Sequence, residues 1–235
     1  MSLTPCPFCG GASRIAVTLP AHRIVACRQC MIARTDPSPA PIDYENEDFH
    51  SQFPFASIDD LPRTWRRGLA LQAALLRRHL APGTPVFEIG CGQGFLLEAM
   101  RRVGLTPSGI EPSISGSAAA RAALHSVETG YFNPAHYPGP YAAVVLSHVL
   151  EHIENLTPFL AEIAASAPGG LIMLVQPNWR GLVPLKNQAN WYAWAPTHHF
   201  WHFSAPGLKR WLRSLGLEIL KVEYSSLEHN DYWLD

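Results

Sequence analysis

From Thr84 onward the sequence alternates between short apolar runs and longer stretches of helical period, and few folds accept that alternation. "PVFEIG" is a short run suited to a strand buried on both faces, and "GFLLEAMRRVG" follows as a helix closed by Gly104. "TPSGIEP" is a second strand, "SISGSAAARAALH" a second helix with Ser113 as its cap, and "SVETG" a weaker strand. "YAAVVLS" and "GGLIMLVQP" are strong strands on either side of the helix "NLTPFLAEIAASA". "APGLKRWLRSLG", ended by Gly216, is a further helix, and "LEILKVEYS" a last strand. Upstream, "WRRGLALQAALLRRHL" places Leu69, Ala73, Leu76 and Leu80 on one helical face and arginines on another. Strands alternating with helices pair in parallel through right-handed crossovers. The expected class is therefore α/β, with a doubly wound, mostly parallel sheet.

The first 36 residues break that pattern. "CPFC" (Cys6, Cys9) and "CRQC" (Cys27, Cys30) form C-x2-C-x17-C-x2-C, a spacing suited to structural zinc. Each C-x-x-C turn places two sulfurs on one side, and two such turns supply a tetrahedron. "SRIAVTLP" and "HRIVACR" between them suit two short strands, so a zinc ribbon is expected over 1–36; two disulfides or free thiols are the alternatives. So short a segment cannot bury a core of its own, and the metal would supply most of its folding energy. A proline- and acid-rich linker is expected over 37–60, and one α/β domain over 61–235.

The formal charge is −1, from 18 basic and 19 acidic residues, which gives no global reason to expect nucleic acid or an anionic membrane as partner. Locally, Arg14, Arg23, Arg28 and Arg34 fall in 1–35 with no acid, and six acids fall in 41–60 with no lysine or arginine; solvated faces are the plain explanation. No apolar run approaches a membrane span, no leader pattern is visible, and five unevenly placed cysteines do not make a disulfide framework. A reducing, cytoplasmic setting is the expectation.

"VFEIGCGQGF" joins the first α/β strand to its helix. Gly90, Gly92 and Gly94 let bare backbone approach a ligand. The pattern is G-x-G-x-G followed by Phe95, so a dinucleotide pyrophosphate cradle is incomplete. Glu88 lies two residues before the first glycine, where a cationic ligand would welcome it. Glu111 ends the second strand, where a carboxylate can accept from both ribose hydroxyls.

"EIGCGQG", "GIEPS", "VVLSHVLEHIEN", "APGGLIMLVQPN" and "HHFWHFSAPGLKRWLRSLGLEIL", in this order, resemble the successive motifs of class I S-adenosylmethionine-dependent methyltransferases. The likeness covers roughly 61–225 and is closest to the branch with "LEH" after the fourth strand; "CPFCG…CRQC" followed by "DYEN" is similar to its zinc-ribbon members. The resemblance implies a Rossmann-like sheet and roles by position. Gly90, Gly92 and Gly94 would wrap the methionine moiety, with Glu88 near its charged end and Glu111 on the ribose. Pro112, Gly130 and Tyr131 would lie near the adenine, and Ser147 and His148 would floor the site. Ala142 stands where this family often has an acid, and Asn133 or backbone would take the adenine amine.

His148, Glu151 and His152 also spell H-x-x-E-H, the spacing of an inverted zinc-protease helix. Here the motif follows a strand, and Asn155 and Pro158 break up the long helix a protease needs. His148, at a central strand's carboxyl end, suits a general base. The resemblance allows a divalent ion on Glu151 and His152, as in quinone-forming relatives; the alternative is that both cap the helix and bond to neighbours. His198, His199 and His202 lie in "WYAWAPTHHFWHFS", expected as a substrate lid without an evident helix, with several of its aromatics packed as core. His148, His152 and His199 are the catalytic candidates, Cys6, Cys9, Cys27 and Cys30 the zinc ligands, and Cys91 has no assigned role.

The expected function is methyl transfer from S-adenosylmethionine to oxygen, carbon or nitrogen of a small acceptor, in a biosynthetic or tailoring role, with zinc structural. An RNA or protein methyltransferase gripping its polymer through the ribbon is the main rival, although neutral charge speaks against RNA. A catalytically silent binding protein on the same fold is the third possibility. Oligomeric state and acceptor identity are not written in the sequence.

Overall fold

The N-terminal region forms β1 (Ser13–Thr18), β2 (Arg23–Cys27) and β3 (Ala33–Asp36). Helix α1 (Arg63–Arg77) precedes β4 (Pro85–Ile89), α2 (Phe95–Arg102), β5 (Thr106–Glu111), α3 (Ile114–Ala122) and β6 (Ser126–Thr129). Then come β7 (Ala143–Ser147), α4 (Leu156–Ser166), β8 (Leu171–Val175), α5 (Leu182–Asn187), β9 (Trp201–His202) and α6 (Ala205–Ser214). This computed structural model describes residues 3–44, 55–137 and 139–224. The acids Glu45, Glu47 and Asp48 of the expected linker lie outside them.

One sheet has the order β6-β5-β4-β7-β8, with β4 parallel to both β5 and β7 and β5 parallel to β6. The expected Rossmann-like α/β sheet is present. The chain runs outward from β4 through β5 to β6 and then returns to β4's other side as β7. That reversal makes the carboxyl ends of β4 and β7 the switch point at which open sheets bind ligands. Val144, Val145 and Leu146 are fully buried in β7, as a strand covered on both faces requires. Helix α1 buries Gly68, Gln72, Ala73 and Leu76 along one face, and α2 buries Leu96, Leu97, Ala99 and Met100. Ala73 and Leu76 of α1, the four α2 side chains, Val86 and Val145 all belong to the core beside β4. Each fully buried leucine there contributes about 1.5–3 kcal/mol.

The second sheet is antiparallel, ordered β1-β2-β3-β9. Its first two strands are those expected of the ribbon. Its last two were not foreseen: β3 pairs Ala33 with His202 and Arg34 with Trp201, so a strand from the far end of the chain completes the N-terminal sheet. The chain divides into two compact units. One draws on Met1–Ile42, His148–Phe159 and Val175–Val222, and the other contains the remaining described residues, including the parallel sheet up to Leu174. In the first unit Ile24, Ala26 and Ala33 pack with Trp191, Ala193 and Trp194. Several of the aromatics expected in a lid are therefore core.

Two sequence expectations differ from the structure. The Trp-rich stretch contains α5 and two single-turn 3-10 segments, Gln188–Asn190 and Tyr192–Trp194. The expected strand "LEILKVEYS" is assigned no strand among its described residues 217–224, although 217–220 alternate between half-buried and exposed. Alternation is a local property, whereas a strand also needs a ladder partner.

Candidate active site

The loop after β4 passes Gly90, Gly92 and Gly94 with φ of 71°, 53° and 84°, a left-handed path that disfavours residues with a Cβ. Space at Gly94 is closed as well: an added Cβ would sit 2.8 Å from His125 Cδ2 and 3.2 Å from Ala120 Cβ. Backbone bonds tie the loop to β5, since Gly90 N and Cys91 N donate to Ile110 O at 2.8 and 3.2 Å. Glu111, at the end of β5, is buried and joins two elements through its carboxylate. Oε2 accepts from Gly92 N and Oε1 from Ser113 N, each at 2.8 Å, while its backbone carbonyl accepts from Gly130 N at 2.9 Å. These bonds orient the carboxylate against the loop and the start of α3. Ser113 caps α3 by accepting from Gly116 N.

Glu88 is 2% exposed in β4, and its Oε2 has no hydrogen-bond partner among the described residues. Burial, and secondarily the nearby charge of Glu111, pushes its carboxyl up to about 8. It is therefore mostly neutral near pH 7 and would welcome a cation. Pro112 follows Glu111 and is half-buried, Gly130 has φ 147°, and Tyr131 is 59% exposed with its ring 6.4 Å from that of Tyr44. Ser147 ends β7, one residue beyond the Leu146 that pairs with Ile89.

The histidines assemble in the other unit. His148 adopts φ 56°, an uncommon left-handed conformation held by its N–H donating to Val175 O at 2.9 Å. Its Nδ1 lies 3.5 Å from Glu151 Oε1, within ion-pair range but long for a hydrogen bond. Glu151 is 1% exposed, and neither carboxylate oxygen has a hydrogen-bond partner among the described residues. Burial alone would raise this carboxyl; His148, His152 and His199 outweigh it and hold the group ionised, at about 2. Burial lowers His152, lowers His199 to about 4, and places His202 well below the usual histidine range, so these rings are neutral near pH 7.

The backbone also sets their tautomers. His152 Nδ1 lies 3.2 Å from His198 O and His199 Nδ1 lies 3.0 Å from Ala193 O. A carbonyl only accepts, so both rings carry their proton on Nδ1 and a lone pair on Nε2. The two imidazoles meet edge to face at 4.7 Å between centroids. Glu151, His152 and His199 bring ligand atoms within 4.8 Å of one another. Here H-x-x-E-H sits on a strand-to-turn junction, with Leu150–His152 a single 3-10 turn, which removes the protease geometry.

The cysteines also converge. Cys6 Sγ and Cys30 Sγ are 3.5 Å apart, as are Cys9 Sγ and Cys27 Sγ, and all four sulfurs lie within 4.8 Å of one another. None is in a disulfide. Tetrahedral zinc with bonds near 2.3 Å separates sulfurs by about 3.8 Å, so the tetrad is compatible with zinc. The hydrogen bond between Cys6 and Cys30 lowers the first thiol and raises the second, so the two sulfurs share a proton. Cys91 is buried, and burial pushes its thiol upward, away from reactivity.

A glycine loop after the first parallel strand, an acid ending the second and a site at the sheet's switch point define a methyltransferase fold. Residues 57–222 match the methyltransferase domain family, and the chain belongs to it. Among curated relatives it is similar to the ubiquinone biosynthesis O-methyltransferases of Caulobacter sp. (33% identical over 139 residues, 53% of this chain and 55% of that protein) and Burkholderia pseudomallei (29% over 159 residues, 60% and 68%). The chain thus spans little more than half the length of the first of these. Among solved structures it resembles magnesium protoporphyrin IX methyltransferase from Synechocystis PCC 6803 with bound SAH (18% identical, 70% of this chain and 80% of that chain, TM-score 0.55). It also resembles a SAM-dependent methyltransferase from Geobacter sulfurreducens in complex with S-adenosyl-L-homocysteine (21% identical, 78% and 75%, TM-score 0.53). At these identities the two structures speak for the fold.

Proposed function

We propose that the chain is an S-adenosylmethionine-dependent methyltransferase acting on a small acceptor, with an oxygen nucleophile favoured by the names of its curated relatives. The observation that carries this is the glycine loop bonded to the Glu111 carboxylate, beside the buried and incompletely partnered Glu88. When bound, the sulfonium cofactor would supply an electrophilic methyl group. Gly90, Gly92 and Gly94 would hold its methionine part, Glu88 its positive end, Glu111 its ribose, and Pro112, Gly130 and Tyr131 its adenine. Ser147 would line the floor. Alignment is the main task in such a displacement, and orientation alone is worth about 7–11 kcal/mol. His148 is the proposed base that removes the acceptor's proton; His152 and His199 assist the acceptor side.

Glu151, His152 and His199 also fit a divalent cation, on a specific observation: a buried ionised carboxylate whose oxygens accept no hydrogen bond among the described residues, with His148 Nδ1 3.5 Å from Oε1, beside two rings whose Nδ1 protons go to backbone carbonyls. A divalent ion there would bind and acidify an acceptor hydroxyl. Cys6, Cys9, Cys27 and Cys30 would hold structural zinc. The rival function, methylation of RNA through the arginine-bearing ribbon, would show as steeply salt-dependent RNA binding.

Calorimetry with S-adenosylmethionine and S-adenosylhomocysteine, followed by transfer of labelled methyl to a panel of small phenols and catechols, tests the proposal. Binding of both cofactor forms, lost in Glu111→Gln, and labelling of a phenolic oxygen are expected. No binding of either form would return the chain to the class of catalytically silent proteins on this fold.

A further inference from the structure

Thr35 lies in β3, five residues after the last cysteine of the ribbon, and is 2% exposed. It makes three bonds to a segment more than 160 residues away. Its N–H donates to Phe200 O at 3.0 Å, its Oγ1 donates to His199 O at 2.6 Å, and Oγ1 lies 3.0 Å from His202 Nε2. A threonine hydroxyl has one proton, and here it is committed to the carbonyl of His199. The contact with His202 therefore requires Nε2–H of the imidazole to donate to the hydroxyl oxygen. One side chain thus fixes the backbone of His199 and the tautomer of His202, leaving the lone pair of His202 on Nδ1.

The turn between Cys30 and β3 is gripped by the same region. Met31 has φ 62°, a conformation that persists only when its surroundings enforce it. Met31 O accepts from Trp179 Nε1 at 3.1 Å and from Ser204 Oγ at 2.8 Å, and Arg210 donates to Gln29 O. Gly207 lies so close that a Cβ there would stand 2.6 Å from Cys30 O. Phe8, between Cys6 and Cys9, packs edge-on against Trp201 at 4.8 Å and Trp211 at 5.4 Å. The second cysteine turn and β3 are thus hydrogen-bonded to the segment around His199 and His202, and the first turn packs on it through Phe8.

We propose that the cysteine ribbon is a positioning brace for this histidine segment, with Thr35 as the positioning residue that transmits the order of the metal-loaded cysteine turns to His199 and His202. This rests on the proposed role of the histidines in methyl transfer only where turnover is measured; the brace itself is read without it. A polymer-gripping ribbon would present its residues to a partner, whereas this one commits its inner strand to the chain's own histidines.

The test compares full-length wild type, Thr35→Val and Thr35→Ser, each with zinc content verified. Side-chain ¹⁵N NMR reads the imidazole tautomers, and hydrogen exchange reads the backbone of 198–204. Valine keeps the branched shape and removes the hydroxyl; serine keeps the hydroxyl. Thr35→Val with full zinc should lose the single Nε2–H form of His202 and exchange at least 10-fold faster over 198–204, and Thr35→Ser should retain both wild-type readouts. Zinc removal by a chelator should reproduce the valine result in wild type. Wild-type imidazole spectra and exchange in Thr35→Val, or in zinc-free wild type, would overturn the brace. In turnover, Thr35→Val should lower kcat while leaving cofactor Kd unchanged. Altered tautomers with unaltered kcat would uphold the brace and count instead against the catalytic role of His199.

Discussion

Glu88→Gln tests whether β4 carries a neutral carboxyl awaiting a cation. In the folded chain burial, aided by Glu111, raises Glu88 from its ordinary 4.5 to about 8. A carboxyl raised in the folded state contributes stability that is complete below 4.5 and is lost as pH climbs toward 8, because the unfolded chain releases its proton first. Each pH unit in that window costs the fold about 1.4 kcal/mol, so wild type should lose about 4 kcal/mol between pH 5 and pH 8. Glutamine has no proton to lose, and whatever its amide costs in bonding is the same at both values. The difference between the two proteins therefore isolates the carboxyl. Thermal unfolding at both pH values should show Glu88→Gln gaining on wild type by roughly 10 °C from pH 5 to pH 8. Saturating S-adenosylmethionine should flatten the wild-type loss, since a cation beside Glu88 favours the carboxylate. Parallel wild-type and mutant curves across this range would refute the neutral-carboxyl argument.

Gly94→Ala forces a side chain into φ 84° and against His125, so stability should fall by about 2 kcal/mol, read by chemical denaturation, and cofactor Kd should rise at least about tenfold by calorimetry. His148→Ala should lower kcat toward a catechol acceptor by about 10²–10⁴-fold, the usual worth of a positioned base, with cofactor affinity unchanged.

Much of the parallel sheet was legible because its information is local. "PVFEIG" and "YAAVVLS" are short and apolar enough to be buried strands, the three glycines mark a turn few residues could make, and Ser113 sits where a cap is needed. The convergence of the four cysteines was legible in their spacing for the same reason. What lay beyond reach depends on partners distant in sequence. "ARTD" carries no sign that it is a strand, and nothing near Thr35 announces the carbonyl of His199. "LEILKVEYS" shows the converse, a strand expected from a local apolar pattern that has no assigned ladder among its described residues. The sequence presents the histidines as two groups, His148 and His152 in H-x-x-E-H and His198, His199 and His202 in the Trp-rich stretch. Their tautomers follow from backbone carbonyls that only the fold brings to them, Ala193 to His199 and the distant His198 to His152.

The pairing of β3 with β9 also orders events at the ribosome. The cysteine turns emerge well before β9, and β3 stays an open edge until Trp201 and His202 have been synthesised. Closing so long a loop costs only slightly more entropy than closing a shorter one, but it cannot begin before the far end exists. During translation, then, β3 is made long before its sheet can be finished, and its exposed edge is the surface that a nascent chain must shield from its neighbours.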